Sequence, residues 1–206
     1  MEETNLGKKK LLDYFKENTK YIVSIFFLII FLGAIFVWFE YDKKNTQKKV
    51  SEDFIEAKIL ISQNKKDESK VILKKIIEKK DKVYSPLSLF LLIDQNIETN
   101  QNIITKYFDI LLSINNIEKE DKNLIKLKKA IYISEKSEEN QILELLNSIV
   151  NSDSVWKIET LNFLGDYFFS IKQYQKAEQY YLMLLSINDA NINKNEINRK
   201  LKLIKK

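Results

Sequence analysis

Residues Tyr21 to Phe39 read YIVSIFFLIIFLGAIFVWF, 19 consecutive positions without a charge. As an α-helix this run is about 28 Å long, close to the hydrocarbon thickness of a bilayer. Ser24 is its one clearly polar side chain. A helix buried in a soluble core seldom goes five turns without a polar face, so residues 21–41 are read as a transmembrane helix. Tyr21 stands at one end and Trp38, Phe39 and Tyr41 at the other. Amphipathic rings are expected at headgroup level, which makes Tyr21, Trp38 and Tyr41 the membrane-interface residues and lipid the partner of the anchor. The run is longer than the apolar core of a cleaved signal peptide, and the EYDKK that follows offers no small-x-small cleavage site. An uncleaved signal anchor is therefore predicted.

Orientation is almost balanced in the charges. Five lysines precede the span (Lys8, Lys9, Lys10, Lys16, Lys20) and four follow it (Lys43, Lys44, Lys48, Lys49), which favours an inside N-terminus only narrowly. Within residues 1–20, Leu11, Leu12, Tyr14 and Phe15 interleave with Lys10, Asp13, Lys16 and Glu17, a pattern that predicts a short interfacial amphipathic segment.

About 165 residues remain beyond the span, enough for one domain with its own core, over 42–206. Gly occurs three times and Pro once, too few for the tight turns of a β-rich domain, so the fold class is expected to be all-α. Cys and His are both absent, which removes disulfides, thiolate nucleophiles, most zinc sites and any Ser-His or Cys-His pairing. A non-enzymatic protein without cofactor, metal or small-molecule substrate is the expectation; only carboxylate chemistry survives the exclusion. Arg199 is the one arginine among 34 basic residues. That bias, with abundant Ile and Asn, reads as genome composition rather than physical demand. The net charge of +5 lies entirely in the last 13 residues, where six basic groups from Lys194 to Lys206 face one acid, Glu196. The body is neutral with its charges interspersed, the pattern of solvated helices, so nucleic acid is not an expected partner.

From Val50 onward, apolar-periodic stretches alternate with short polar breaks: 51–62, 68–79, 87–97, 103–114, 124–133, 142–150, 158–171 and 174–187. Ser85-Pro86 is expected to start the third, with Ser as cap and Pro in the first turn. The stretch 41–49 is the one candidate joint, unless it continues the membrane helix. Antiparallel hairpins stacked in a row would produce this rhythm, each burying its face against its neighbours. Ile197, Leu201 and Ile204 are spaced for a last amphipathic helix over about 192–205. The acids Glu118-Glu120-Asp121 and Glu138-Glu139 each precede an apolar helix, where they suit the helix dipole better than catalysis.

One segment is more specific. Residues 158–191 resemble a tetratricopeptide repeat, a 34-residue helix-turn-helix unit. Leu164-Gly165 matches its Leu-Gly pair and Phe168 its first-helix aromatic. Tyr174 opens the second helix, Ala177 takes the small position, and Tyr181 and Leu185 take later core positions. Leu161, Leu184 and Asp189 depart from the usual Trp, small residue and Pro. By this resemblance the array is a tetratricopeptide-like α-solenoid, and Glu159, Asn162, Asp166, Phe169 and Ser170 would line a partner groove. Asp166 has the wrong sign for clamping a carboxylate terminus.

Over nearly the whole chain the order of features resembles the YfgM-type ancillary subunit of the bacterial Sec translocon. LLDYFKENTKYIV, the aromatic exit VWFEYDKK and YSPLSLFLLI carry that resemblance. It implies a single-pass inner-membrane protein, N-terminus cytoplasmic and repeat domain periplasmic. The implied partners are translocon subunits, membrane-bound folding factors and exported proteins, for which the chain would act as a link to chaperones. A scaffold for cytochrome maturation, cell division or envelope assembly is the alternative, with a membrane-tethered hydrolase behind it.

Overall fold

The computed structural model describes residues 19–189 and 192–205, and among them every regular element is a helix. The predicted interfacial segment lies almost wholly outside the described residues, as do Asn191 at the end of the repeat and Lys206 of the basic tail. Two compact units divide the chain after Glu52.

In the first unit, α1 (Thr19–Ser62, which continues into the second) is long and apolar enough to cross a membrane. The described side chains from Tyr21 to Phe39 are exposed on every side of the helix, as a span facing lipid requires. The Ser24 hydroxyl donates to the Lys20 carbonyl at 2.9 Å. The one clearly polar side chain of the apolar run is thus satisfied within its own helix. Residues 41–49 are helical throughout, so no loop interrupts α1 there.

Among the described residues the second unit strings eight further helices of 11–15 residues: α2 (Lys66–Glu78), α3 (Tyr84–Asp94), α4 (Gln101–Leu112), α5 (Lys119–Ile133), α6 (Glu139–Val150), α7 (Lys157–Ser170), α8 (Tyr174–Ser186) and α9 (Lys194–Ile204). The most extensive packing joins consecutive helices, with α2 also meeting α4. Two apolar clusters result. One runs from Ala57 to Ile125 and includes Leu73, Leu89 and Phe108; the other runs from Leu127 to Leu201 and includes Leu146, Phe168 and Tyr181. Helix α5 supplies both, Ile125 to the first and Leu127, Ala130 and Ile133 to the second, while Tyr132 packs against each.

A glycine-poor chain must turn by other means. Asn64, Lys80, Asn96, Asn116 and Lys172 have φ between 51° and 61°, the left-handed region. After α7, Gln173 N–H donates to Phe168 O at 2.9 Å and Lys172 N–H to Phe169 O at 3.1 Å. These are the two bonds of a Schellman ending, with Lys172 where glycine is usual. The same pair of bonds closes α1 at Asn64 and α3 at Asn96. Asparagine tolerates this conformation, so part of the chain's Asn content does meet a physical demand, contrary to the compositional expectation.

The start of α3 also differs from expectation. The helix begins at Tyr84, and Asp81 Oδ1 accepts from the Val83 and Tyr84 amides at 2.9 and 2.7 Å. Ser85 lies inside the first turn, where its buried hydroxyl donates instead to Ile76 O of α2 at 2.7 Å. Three positions before Tyr84, the longer Asp side chain is better placed to reach its amide.

Between α3 and α4, Glu98 is buried with only 6% of its surface exposed. Its Oε2 lies 3.0 Å from Lys70 Nζ and 2.9 Å from Lys74 Nζ, and its Oε1 accepts from Asn100 N–H at 3.1 Å. Burial alone would raise this carboxyl. The Lys74 and Lys70 ammoniums and the Asn100 amide outweigh it and bring the pKa to about 2. A depressed folded-state pKa contributes stability that is complete above the unfolded value near 4.5 and is lost as pH falls towards 2. The acid limb of the stability curve should therefore carry on the order of 2 kcal/mol from this residue. Glu98→Gln should remove that part, as read by urea denaturation between pH 6 and about pH 3; an unchanged pH profile would refute the assignment. Separately, Lys172→Gly should stabilise the fold by about 0.5–1 kcal/mol through relief of left-handed strain.

Candidate partner-binding site

The hairpin α7–α8 carries the residues singled out in the sequence. Two small residues set its geometry. Ala177 is fully buried, and Gly165 faces the Tyr181 ring so closely that a Cβ there would meet ring carbons within about 3.0 Å. Leu161, Leu164 and Phe168 are buried beside them, and Leu185 is partly buried at the margin of the cluster. Phe168 stacks on Tyr180 with ring centroids 5.4 Å apart and planes 3° from parallel. Tyr174, the first residue of α8, is exposed and lies against Phe169 at 5.6 Å.

The five positions expected at a groove are not equivalent. Glu159 and Ser170 are exposed, and the Ser170 hydroxyl donates to Tyr167 O within its own helix. Phe169 is half-buried. Glu159 and Asn162 line a cleft of about 200 Å³ whose other wall includes Asn193, Glu196 and Ile197 of the C-terminal segment. Asp166 is engaged: its Oδ1 accepts from the Tyr181 hydroxyl and from Lys200 Nζ, each at 2.6 Å.

That engagement holds α9 in place. Asn193 caps the helix by accepting from Glu196 N–H at 3.1 Å, and Ile197 and Leu201 are buried. Lys200 Nζ lies 5.6 Å from the Tyr181 ring centroid, in cation–π range. Burial, then the Asp166 hydrogen bond, pushes the Tyr181 hydroxyl far above its ordinary range, so it stays a donor throughout accessible pH. Sequence spacing showed the apolar stripe of this helix. The Lys200 contact, 34 residues from Asp166, left no local signal.

The acids read as dipole partners do stand at helix starts, Glu120 and Asp121 in α5 and Glu139 in α6. They also join elements distant in sequence. Glu120 Oε2 accepts from the Ser154 hydroxyl at 2.5 Å and Val155 N–H at 3.2 Å, while Trp156 Nε1 donates to Glu120 O at 3.0 Å. Glu139 accepts from Lys176 Nζ at 2.5 Å and Gln173 Nε2 at 3.0 Å. The Ser154 bond holds the Glu120 carboxyl below its ordinary pKa, and the Lys176 bond does the same for Glu139. Both carboxylates are committed to structure. Among the described residues no group of three or more acids is placed to hold a metal ion.

Gly165→Ala gains up to about 1 kcal/mol of helix propensity but forces a methyl group into a fully buried ring, which costs about 1–3 kcal/mol. The ring is pinned at its hydroxyl, so the clash should win and the variant lose about 1 kcal/mol net. Combining it with Tyr181→Leu should give less than the sum of the two losses, because the second change clears the space; additive losses by denaturant titration would show the contact to be loose.

No protein-family model matches the chain, and no solved structure matches it. A curated relative, the ancillary SecYEG translocon subunit of Buchnera aphidicola subsp. Acyrthosiphon pisum (strain APS), is 28% identical over 197 residues, which cover 95% of this chain and 98% of the relative. The similarity therefore takes in the apolar helix and the hairpins together, and the resemblance read from the sequence holds: this chain is similar to an ancillary SecYEG translocon subunit along nearly its whole length.

Proposed function

We propose that the chain is a non-enzymatic, membrane-anchored scaffold serving the Sec translocon as an accessory subunit. The end-to-end similarity to a protein named for that role carries the reading, since a shared anchor alone or a shared repeat alone would not extend over 95% of the chain. On this reading residues 21–41 anchor the protein in the bacterial inner membrane, with Tyr21, Trp38 and Tyr41 at the headgroups and the N-terminus in the cytoplasm. Residues 42–206 form a tetratricopeptide-like array in the periplasm. The close approach of Gly165 to Tyr181 and the burial of Ala177 support the repeat over 158–191, because both small positions do what such a unit needs. Phe169, half-buried, and Ser170, exposed, are the groove positions through which this repeat would meet exported proteins or membrane-bound folding factors.

Two measurements test the reading. Photo-crosslinking in native membranes should recover translocon subunits; gentle pulldowns that recover none from well-expressed protein would remove the translocon role. A C-terminal reporter active only outside the cytoplasm should be active, and an inactive one would invert the topology.

A further inference from the structure

A cleft of about 760 Å³ lies away from the C-terminal hairpin, between α4, α5 and α6. Its charge is uneven: Lys126, Lys129 and Lys136 line it against a single acid, Glu144. Lys129 is neutralised by Asp109 at 2.6 Å. Lys126 is not. Its Nζ donates to the Ser148 hydroxyl at 2.8 Å, and among the described residues no carboxylate lies within ion-pair distance of Lys126 or Lys136. Partial burial, then the charge of Lys122 one turn earlier, disfavours the Lys126 ammonium. The protein thus keeps an uncompensated cation in a cleft wall at a cost to its own stability, a cost that an incoming anion would offset.

We propose that this cleft binds an extended, acidic segment of a partner protein, with carboxylates set against Lys126 and Lys136. The proposal rests on the scaffold reading above and supplies the partner chemistry that reading lacks. Lys126 on α5 and Lys136 in the turn after that helix are separate points on the cleft wall, and an extended chain, rising about 3.3 Å per residue, can set a carboxylate against each. The amides of Gln101, Asn102 and Gln141 around the cleft suit a peptide backbone, and Ile133 and Leu145 offer apolar contact between the charges. No aromatic side chain lines it, so the stacking platform that single-stranded nucleic acid uses is missing.

The test uses the full chain in detergent micelles and a fluorescein-labelled peptide of alternating Glu and Ala, with its Gln counterpart as control. Fluorescence anisotropy should show binding of the Glu peptide, weakened by added salt, and at least tenfold weaker binding of the Gln peptide. The double variant Lys126→Gln, Lys136→Gln should weaken Glu-peptide binding about tenfold or more, while Lys58→Gln on exposed α1 should leave it unchanged. Should the double variant fold poorly, the exposed Lys136→Glu alone should still show the loss. Equal binding to wild type and variants, or an oligonucleotide of equal charge binding as tightly as the peptide, would overturn the proposal. Translocon crosslinks that persist without peptide binding would sink this inference alone. Peptide binding without any crosslinks would instead sink the translocon reading and leave the cleft standing.

Discussion

Helices of 11–15 residues cannot bury an apolar face by themselves, and in this array each finds its cover mainly on the helix before and the helix after. Everything else in the second unit depends on that sharing. It explains why α5 is built as it is: Ile125 points into one cluster, and Leu127, Ala130 and Ile133 into the next. A helix that serves two cores is one over which they lose independence, so the array has a continuous interior without a linker at its middle.

Burial is non-directional, and polar ties supply the register. Glu98 reaches Lys70 and Lys74, Glu120 reaches Ser154, Glu139 reaches Lys176, and Asp166 reaches Lys200. Each carboxylate joins residues more than 20 positions apart. Exposed pairs of this kind contribute little energy, about 0–1 kcal/mol each, so their value lies in selecting one arrangement of hairpins among several of similar apolar burial. Glu98 is the exception in energy as well as geometry, because it is the one of these carboxylates that is buried.

Features with a period or a length could be read before the fold was known. The apolar helix over Tyr21–Phe39 needed only the absence of charge, and the helical array needed only recurring apolar positions and few glycines. Gly165 and Ala177 were legible because closeness between helices demands small side chains. What escaped was directional and non-local: Ser85 bonding to Ile76 rather than capping α3, the tie from Glu120 to Ser154, and the grip of Lys200 on Asp166. Nothing in the residues around Asp166 announces that a lysine 34 positions later will occupy it. The cleft at Lys126 was hidden for the same reason, since its walls come from three helices.

The left-handed endings at Asn64, Asn96 and Lys172 have a consequence for the denatured chain. Glycine at those points would fit the native backbone without strain, yet it would also widen the range of conformations that folding has to give up. Side-chain-bearing residues transfer part of that burden from the entropy of the unfolded ensemble to a small local strain in the folded one. A chain that turns on asparagine and lysine therefore begins its search already narrowed at the corners where its hairpins must reverse.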